Sequence, residues 1–592
     1  MKTAKRLVAT LLVAMCFMAA HDVQACTNFL FTKGATKDGS TMITYAADSH
    51  VLYGELYYRR AAQYPAGTMF KVYDWDSGKY LMDIPQVATT YSVVGNMNEH
   101  QLAIGETTYG GRQELWAHPE GGIDYGSLIY ITLQRAKTAR EAIKVMTELA
   151  DTYGYASEGE SFSICDPNEV WVMDFIGKGI AKYDTVKGKP VLNKAYKGFK
   201  PGAVWVARRV PDGYVCGHAN QARITTFPQE PAKWNKAKGQ GLHTAISSKH
   251  MDYIFEPEVE CVYAADVTAP ARMHGWYTGS DADFSFADAY APLDFGQARF
   301  CDARVYAMFR RVNADMQQYE DYAMGHNLGN RLPLWIKPDH KVDLHEVMNL
   351  MRDHYEGTAM DMTQDVGAGP FHCPYRWRPM TWQYAGKDYV HERATSTQQT
   401  GFSFVAQCRN WLPSKVGGIL WFGVDDTYST VYCPMYCGIT DIPECFREGN
   451  GSMTEYSPTS AFWLFNRVTN FCYNRYDSMI VDLQAVQSRL EKGFINSVSQ
   501  NDQAVKSISS DAELTARLNR FSNEAARQMM TEWTNLDHFL LVKYIDGNIK
   551  HVKNGQFETT ETGACKSPMQ PLYPNWFYKQ IVDDHGSVIL QK

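Results

Sequence analysis

The chain has 592 residues, of which 45% are hydrophobic and 13% aromatic, and its formal net charge is −7. This composition is ample for a packed core and excludes a mainly disordered chain. The lysines and arginines are spread along the chain, so neither nucleic acid nor an anionic membrane surface is indicated as a partner.

The first 25 residues have the three parts of a secretion signal. Lys2, Lys5 and Arg6 are basic, residues 7–20 are apolar, and residues 23–25 (VQA) have the spacing of a signal peptidase site. Fourteen apolar residues are too few to span a bilayer, and no later apolar run reaches about 18 residues. We therefore expect an exported protein, periplasmic or extracellular, with no membrane span and with Cys26 as its first mature residue.

Strands are predicted from Cys26 onward. Residues 26–49 (CTNFLFTKGATKDGSTMITYAADS) predict two strands joined by a glycine-containing turn, and residues 91–108 (YSVVGNMNEHQLAIGETT) predict a hairpin that bends at 96–100. Helix is predicted over 125–154, with a capping box at Thr138 and Glu141, and residues 161–179 predict two more strands around a turn. This order favours an α+β fold of layered sheets with outer helices over a parallel α/β fold.

The second half of the chain is more varied. Strands are predicted again over 401–412 and 417–426, and helical periodicity dominates after about residue 455. We therefore divide the mature chain into a domain at 26–455 and a mainly helical C-terminal extension at 456–592.

Common motifs of catalysis and cofactor binding are absent from the sequence. It contains no Gly-x-Ser-x-Gly elbow, Walker loop or Gly-x-Gly-x-x-Gly fingerprint, and no cofactor is indicated. Cys433, Cys437 and Cys445 lie near one another, but a Cys-x3-Cys pair without a second pair is weak evidence for zinc. Buried thiols or one or two disulfides are the simpler interpretation.

Cys26 is the strongest candidate for a catalytic residue. Cleavage after Ala25 would give one residue a thiol and a free α-amine, and such an amine can act as the general base for its own side chain. The same Ala-Cys junction is compatible with a lipid anchor. However, the apolar strand 27–31 follows at once, where a tether would need a polar spacer. A nucleophile is the favoured interpretation, and a lipid anchor or an inert thiol are the alternatives.

Several blocks of the chain, in order, resemble the cysteine dipeptidases among the N-terminal-nucleophile hydrolases, which are related to penicillin V acylases and bile salt hydrolases. The resemblance runs from Cys26 to about residue 490 and rests on residues 26–49, 98–108, 159–179, 205–224, 411–440 and 460–476. It implies a four-layer αββα fold with the Cys26 thiol at the end of a central strand. It also implies that Cys26 attacks a peptide carbonyl while its α-amine acts as general base.

The same resemblance suggests further site residues. Asp48 matches the aspartate that holds the terminal amine, and Asn220 is similar to the asparagine that shapes the oxyanion surroundings. Arg304 looks like the arginine at the far side of the acylase pocket, although Arg299 fits nearly as well. The relatives usually carry an arginine three residues before that aspartate, where this chain has Tyr45.

Two further expectations concern the oxyanion and the substrate. Thr108 stands where the acylases have a second oxyanion asparagine, so backbone N–H groups are expected to contribute more to stabilising the oxyanion. A dipeptide needs an anion for its α-amine and a cation for its carboxylate, and the candidates are Glu99, Glu106 and Asp48 for the amine and Arg112, Arg223 and Arg304 for the carboxylate.

The sequence thus predicts a dipeptidase acting on small peptides. The alternatives are an acylase-type amidohydrolase acting on N-acyl amino acids or conjugated bile acids, and a lipid-anchored surface protein without catalysis. The sequence leaves the oligomeric state open.

Overall fold

The computed structural model describes residues 26–116, 121–187, 189–194, 197, 199–230, 244–376 and 380–591. The predicted signal segment, residues 1–25, lies outside the described residues. Two large sheets form the centre of the molecule. Its α-helices are Tyr125–Leu133, Ala139–Tyr153, Ala269–Met273, Phe286–Tyr290, Ala303–Val312, Glu320–Ala323, Leu344–Leu350, Ser414–Gly417, Ala461–Cys472, Tyr476–Val505, Asp511–Tyr544 and Asn575–Ile589.

The first sheet contains the segment that begins at Cys26. Its pairs are antiparallel, with Leu30 opposite Ile43, and every residue of its two strands nearest Cys26 is buried. Burial on both faces explains the nearly continuous apolar sequence of these strands. In spatial order the seven strands are Trp335–Ile336, Val215–His218, Asn28–Phe31, Thr41–Asp48, Thr400–Cys408, Ile419–Val424 and Cys433–Tyr436.

The second sheet has nine strands and is antiparallel except for one parallel pair at its edge. Its long central strands pair around tight turns, as at residues 166–169. In spatial order the strands are Ala245–Ser247, Cys261–Tyr263, Ala203–Arg209, Val170–Gly177, Gly159–Cys165, Ala103–Gly110, Met97–Asn98, Val93–Val94 and Tyr58–Arg59. Smaller two-stranded ribbons are Ala62–Gln63 with Thr89–Thr90, Met69–Tyr73 with Tyr80–Pro85, Tyr183–Val186 with Lys189–Leu192, Thr381–Tyr384 with Lys387–Val390, and Val552–Lys553 with Gln556–Phe557.

The two sheets pack face to face, and polar contacts join them as well as apolar ones. The two ring nitrogens of His218, in the first sheet, form hydrogen bonds of 2.7 Å with the hydroxyl groups of Thr107 and Ser163 in the second sheet. Burial lowers the pKa of His218 to about 3, so this histidine is neutral. The thiols of Cys165 and Cys408 also meet across the sheets, with their sulfur atoms 3.7 Å apart.

Helices pack on the outer face of both sheets. Ala139–Tyr153 contacts the second sheet, while Ala303–Val312 and the long C-terminal helices Tyr476–Val505 and Asp511–Tyr544 contact the first. The prediction of a mixed α+β protein with a mainly helical C-terminal region is therefore confirmed. The division of the chain at residue 455 stays a prediction.

Most predicted elements agree with the structure, with two differences in detail. The segment predicted as one helix over 125–154 is two helices, which end at Leu133 and begin at Ala139. The second begins at the predicted capping box, where the Thr138 hydroxyl accepts from the Glu141 N–H at 3.2 Å. The hairpin at 91–108 contains an additional short strand, Met97–Asn98, between Val93–Val94 and Ala103–Gly110.

The cysteines and the helices bear on two further expectations. The twelve described cysteines are free thiols, most of them buried, so the simpler interpretation as buried thiols holds in this structure and no disulfide joins them. In the part of the chain that is described, no helix is both long and apolar enough to span a bilayer.

Candidate active site

Cys26 lies two residues before the strand Asn28–Phe31 of the first sheet, and it is 3% exposed. The next residue, Thr27, pairs with Ala46, which fixes Cys26 beside the strand Thr41–Asp48. The Cys26 nitrogen donates to the Asn220 side-chain oxygen at 3.2 Å. Its sulfur lies 3.6 Å from the Tyr45 hydroxyl and 3.7 Å from a Glu106 carboxylate oxygen. The backbone nitrogen and the thiol of one residue therefore face the same polar site.

Arg304 holds Cys26 from the opposite side. One guanidinium nitrogen donates to the Cys26 carbonyl at 2.7 Å and to the Thr27 hydroxyl at 2.8 Å, and the other donates to Asn220 Oδ1 at 2.7 Å. The arginine is fully buried at the start of helix Ala303–Val312, directly after a π-helical turn over Gln297–Asp302. Such turns are frequent at functional sites because they redirect side chains.

Asn220 is the residue that joins these groups. Its Oδ1 accepts from both Cys26 and Arg304, and its Nδ2 donates to the Thr108 carbonyl. Asn220 has φ of 58°, in the left-handed region that asparagine tolerates better than most residues. The chain leaves the strand Val215–His218 two residues earlier, so this backbone turn aims the amide at Cys26.

Asp48 lies at the end of the neighbouring strand and is fully buried. Its Oδ1 accepts from the Thr400 hydroxyl at 2.6 Å, whereas its Oδ2 has no hydrogen-bond partner among the described residues. Burial raises the pKa of Asp48 to about 7, while Thr400 and the charge of Arg304 oppose that rise. Asp48 is therefore poised to change its charge near neutral pH.

The thiol of Cys26 is neutral in these surroundings. Burial raises its pKa well above the ordinary value, and the nearby negative charges of Glu106 and Asp48 raise it further. A backbone N–H of Asp48 and the Tyr45 hydroxyl act in the opposite direction. The thiol consequently needs a base close by before it can attack a carbonyl group.

A pair of buried glutamates adjoins the thiol, and the sequence interpretation found only one of them. The Tyr45 hydroxyl donates to Glu106 at 2.6 Å, and the Thr108 hydroxyl donates to Glu160 at 2.8 Å. Glu160 was missed, although a glutamate within the otherwise uncharged strand Gly159–Cys165 is a signal that could have identified it. Tyr45, at the position where the resemblance led us to expect an arginine, thus donates its hydroxyl hydrogen bond to a carboxylate.

A cavity of about 490 Å³ opens beside this site. Asn220, which contacts Cys26, forms part of its wall together with Glu160 and Thr108. None of the described residues in the wall is a lysine, arginine or histidine, and four are acidic. The lining residues are Asp74, Asp76, Thr108, Tyr109, Gly110, Trp116, Tyr125, Ala156, Ser157, Glu158, Glu160, Asn220, Gln297 and Cys301.

The structure brings together only some of the residues named from the sequence. Cys26, Asn220 and Arg304 are in direct contact, and Asp48 and Glu106 act on the Cys26 thiol through their charges. Thr108 contributes its carbonyl and its hydroxyl to the same site.

Four other candidates have their contacts elsewhere. Arg299 pairs with Glu392, so the contact with Cys26 distinguishes Arg304 from it. The side chain of Glu99 accepts from the Ser92 N–H, Arg112 contacts the Ala289 carbonyl and the Trp276 ring, and Arg223 pairs with buried Asp302.

Comparison with known proteins agrees with these features. A model of peptidase family C69 matches residues 25–489. The chain is 20% identical to a probable dipeptidase of Latilactobacillus sakei over 88% of this chain and 98% of that protein. It is 21% identical to a probable dipeptidase of Salmonella dublin over 72% of this chain and 84% of that protein. It is also 23% identical to a dipeptidase of Bifidobacterium longum over 58% of this chain and 61% of that protein.

The family match covers more than half of the chain and begins one residue before Cys26. Together with the buried cysteine and its polar surroundings, it answers the question of enzyme class. The chain belongs to peptidase family C69 and is a cysteine-type peptidase.

Proposed function

We propose that the protein is a dipeptidase in which Cys26, as the first residue of the mature chain, is the nucleophile. The observation that carries this proposal is the placement of the Cys26 nitrogen and thiol in one buried polar site, where Asn220 and Arg304 hold the residue from two sides. The dipeptidase names of the relatives support the choice of substrate.

In the acylation half of the reaction, the free α-amine of Cys26 takes the proton of its own thiol. The sulfur then forms a bond to the peptide carbonyl carbon, and the carbonyl oxygen becomes an oxyanion. As the oxyanion reforms the carbonyl group, the C–N bond breaks and the leaving nitrogen takes the proton from the α-ammonium. A thioester on Cys26 and a free amine product result.

In the second half, water replaces the leaving group. The α-amine accepts a proton from water while the oxygen attacks the thioester, and the proton returns to sulfur as the C–S bond breaks. Asn220 positions the amine through its Oδ1, and Arg304 fixes the carbonyl of the same residue. Asp48, once ionised, stabilises the ammonium form that both halves of the reaction require.

The same proposal includes the fold family and the location. Two face-to-face sheets with helices outside support a four-layer αββα N-terminal-nucleophile fold, with Cys26 at a central strand. A free amine at Cys26 requires removal of the preceding residues, which a secretion signal at 1–25 would provide. We therefore propose that the enzyme is exported to the periplasm or beyond it.

The acidic lining of the cavity favours a peptide with a free amine over the acylase alternative. An N-acyl amino acid or a conjugated bile acid would place an apolar group against carboxylates, which would have to lose hydration without a partner. A lipid anchor on Cys26 has less support still, because the thiol is buried between Tyr45 and Glu106.

The mature N-terminus and activity provide the test. We expect mass spectrometry to find an unmodified Cys26 as the first residue, and the purified protein to hydrolyse dipeptides. A form that carries one extra residue before Cys26 should be inactive, because an amide nitrogen is not basic, and proteolytic removal of that residue should restore turnover. Cys26→Ala should be inactive in both forms. Full activity of the extended form would contradict the proposed base.

A further inference from the structure

Glu106 and Glu160 come together across two strands of the second sheet. Thr108 lies directly opposite Glu160, and Glu106 precedes Thr108 by two residues in the same strand. Residues two apart point to the same face of a strand, so the two glutamates are diagonal neighbours on one face. Both side chains are buried, with exposures of 1% and 0%.

Each glutamate accepts a hydrogen bond from one hydroxyl group, and the two carboxyl groups also hydrogen-bond to each other. Oε1 of Glu106 accepts from Tyr45, and Oε1 of Glu160 accepts from Thr108. Apart from this mutual contact, no hydrogen-bond donor among the described residues reaches Oε2 of either glutamate. Two carboxyl groups can hydrogen-bond to each other only while one of them is protonated, so the pair holds a proton.

A proton, and not a cation, joins the two acids. Burial is the main cause of the raised pKa of both glutamates, and the negative charge of Glu106 raises the pKa of Glu160 further. No arginine or lysine is among the main influences on either pKa. The site therefore holds two acids that share protons in place of a positive charge.

We propose that Glu106 and Glu160 form the subsite for the α-ammonium group of the peptide. This inference rests on the proposed function, since it takes Cys26 as the attacking group. In a peptide with a free N-terminus, the ammonium nitrogen is bonded to the carbon next to the attacked carbonyl. Oε1 of Glu106 lies 3.7 Å from the Cys26 sulfur, and Glu160 lines the cavity, so an ammonium group that displaces the shared proton would lie between the two carboxylates while its carbonyl faces the thiol.

Binding should then release a proton. An ammonium ion favours two ionised carboxylates, so the proton shared by the glutamates leaves to solvent as the substrate binds. The substrate amine stays protonated, and the charge of the pair changes from about −1 to −2. The other titratable groups that act on this pair are Cys26, Tyr45, Asp76, Tyr109, Tyr125, Tyr155 and Glu158.

Kinetics with two matched substrates test the subsite. Alanyl-alanine and N-propionyl-alanine differ only in the amine, and we expect the wild type to prefer the first by about 100-fold or more in kcat/KM. Glu160→Gln should reduce this preference to below about 10-fold, chiefly through a higher KM for alanyl-alanine. Glu114→Gln, which changes an exposed carboxylate outside the cavity wall, should keep the preference. An unchanged preference in Glu160→Gln would overturn the subsite.

Two controls separate the possible failures. Activity that survives in Cys26→Ala would overturn the proposed function, whereas loss of activity there together with a wild-type preference in Glu160→Gln would overturn only the subsite. Calorimetry of substrate binding to Cys26→Ala tests the subsite without the Glu160 variant, so its outcome does not depend on whether that variant folds. Cys26→Ala should release close to one proton for each alanyl-alanine bound at pH 6.5, measured in two buffers of different ionisation enthalpy. Binding without proton release would also overturn the inference.

Discussion

The Cys26 thiol is surrounded by groups that disfavour its ionised form. The negative charges of Glu106 and Asp48 and the burial of the sulfur all raise its pKa. Activation therefore requires a base close to the thiol, and in the proposed mechanism that base is the α-amine of the same residue. Among the residues around Cys26, Asp48 is expected to change its charge near neutral pH, since its pKa is about 7.

We expect Asp48→Asn to lower kcat by about 10²–10⁴-fold, with little change in KM, because the variant keeps the shape but cannot support the protonated amine. We expect the wild-type pH–rate profile to rise as Asp48 ionises near pH 7, and this acidic limb should disappear in the variant. Thr400→Val is the matched variant. Its loss of the hydrogen bond to Asp48 should move that limb to higher pH rather than remove it.

The outcome that contradicts this role is a change confined to KM. If Asp48 bound the α-amine of the substrate instead, Asp48→Asn would raise KM for alanyl-alanine, and N-propionyl-alanine would be hydrolysed no more slowly than by the wild type. Steady-state kinetics on the two substrates distinguish the roles.

The sequence was most informative where the chemistry is local. Cys26 could be proposed from the sequence because it directly follows a predicted cleavage motif, and that motif is continuous in sequence. The partner of Glu106 could not be identified in the same way. Glu106 and Glu160 are 54 positions apart and become neighbours only through the register of two strands. Likewise, only the contact with Cys26 distinguishes Arg304 from Arg299.

At the scale of elements, the C-terminal helices are packed onto the first sheet by large apolar side chains and by buried ion pairs. Arg352 pairs with Glu491, and Arg409 pairs with Asp502, so each pair joins the sheet-bearing part of the chain to helix Tyr476–Val505. Removing one partner of a buried pair leaves an uncompensated charge. These contacts indicate that the helices contribute to the stability of the whole chain.

Trp533 provides a test of that contribution. It is fully buried in helix Asp511–Tyr544, and its ring stacks on Phe465 with centroids 4.5 Å apart. We expect Trp533→Ala to lower the free energy of unfolding by about 3–5 kcal/mol. Leu541→Ala, on an exposed position of the same helix, should change it by less than about 0.5 kcal/mol.

Activity is the second measurement on the Trp533 variant. Below the unfolding transition, kcat per folded molecule should equal that of the wild type, because the described contacts of Trp533 do not include Cys26 or its partners. Denaturant titration gives the stability, and a loss of kcat at full folding would show that the helix also acts on the site.

Element prediction from sequence succeeded where turn residues separate apolar runs. The strands around residues 166–169 and the hairpin that starts at Cys26 have such turns. The break between the helices at 134–138 was missed although the capping box at Thr138 marks a helix start, because residues 134–138 carry no proline or glycine and the apolar periodicity continues past them. The pairing of the strands into two sheets is a property of distant segments and could not be obtained from local pattern.

For the whole molecule, several buried acids link stability to pH. Burial raises the pKa of Asp425 to about 7, as it does that of Asp48. The unfolded chain binds this proton less tightly, with a pKa of about 3.9. Between these two pKa values the folded state holds more protons than the unfolded state. The free energy of unfolding therefore decreases from its value at pH 4 as the pH rises through about 7.

Asp425→Asn should therefore stabilise the protein more as the pH increases. We expect little difference from the wild type near pH 4 and a gain of about 2–4 kcal/mol at pH 8. The asparagine oxygen can still accept the hydrogen bond from Asn466, which is 2.8 Å long in the wild type. Thermal unfolding of both proteins from pH 4 to pH 8 measures the difference, and a gain that is constant with pH would contradict the linkage.

The acidic lining of the cavity also has a consequence for how molecules arrive. The acidic side chains around one opening, in a chain of net charge −7, focus a negative potential outward from the site. Positively charged peptides are drawn toward it and polyanionic ones are turned away before any contact forms. Added salt shortens the range of this field, so encounter with cationic peptides slows as ionic strength rises, while neutral ones approach at much the same rate.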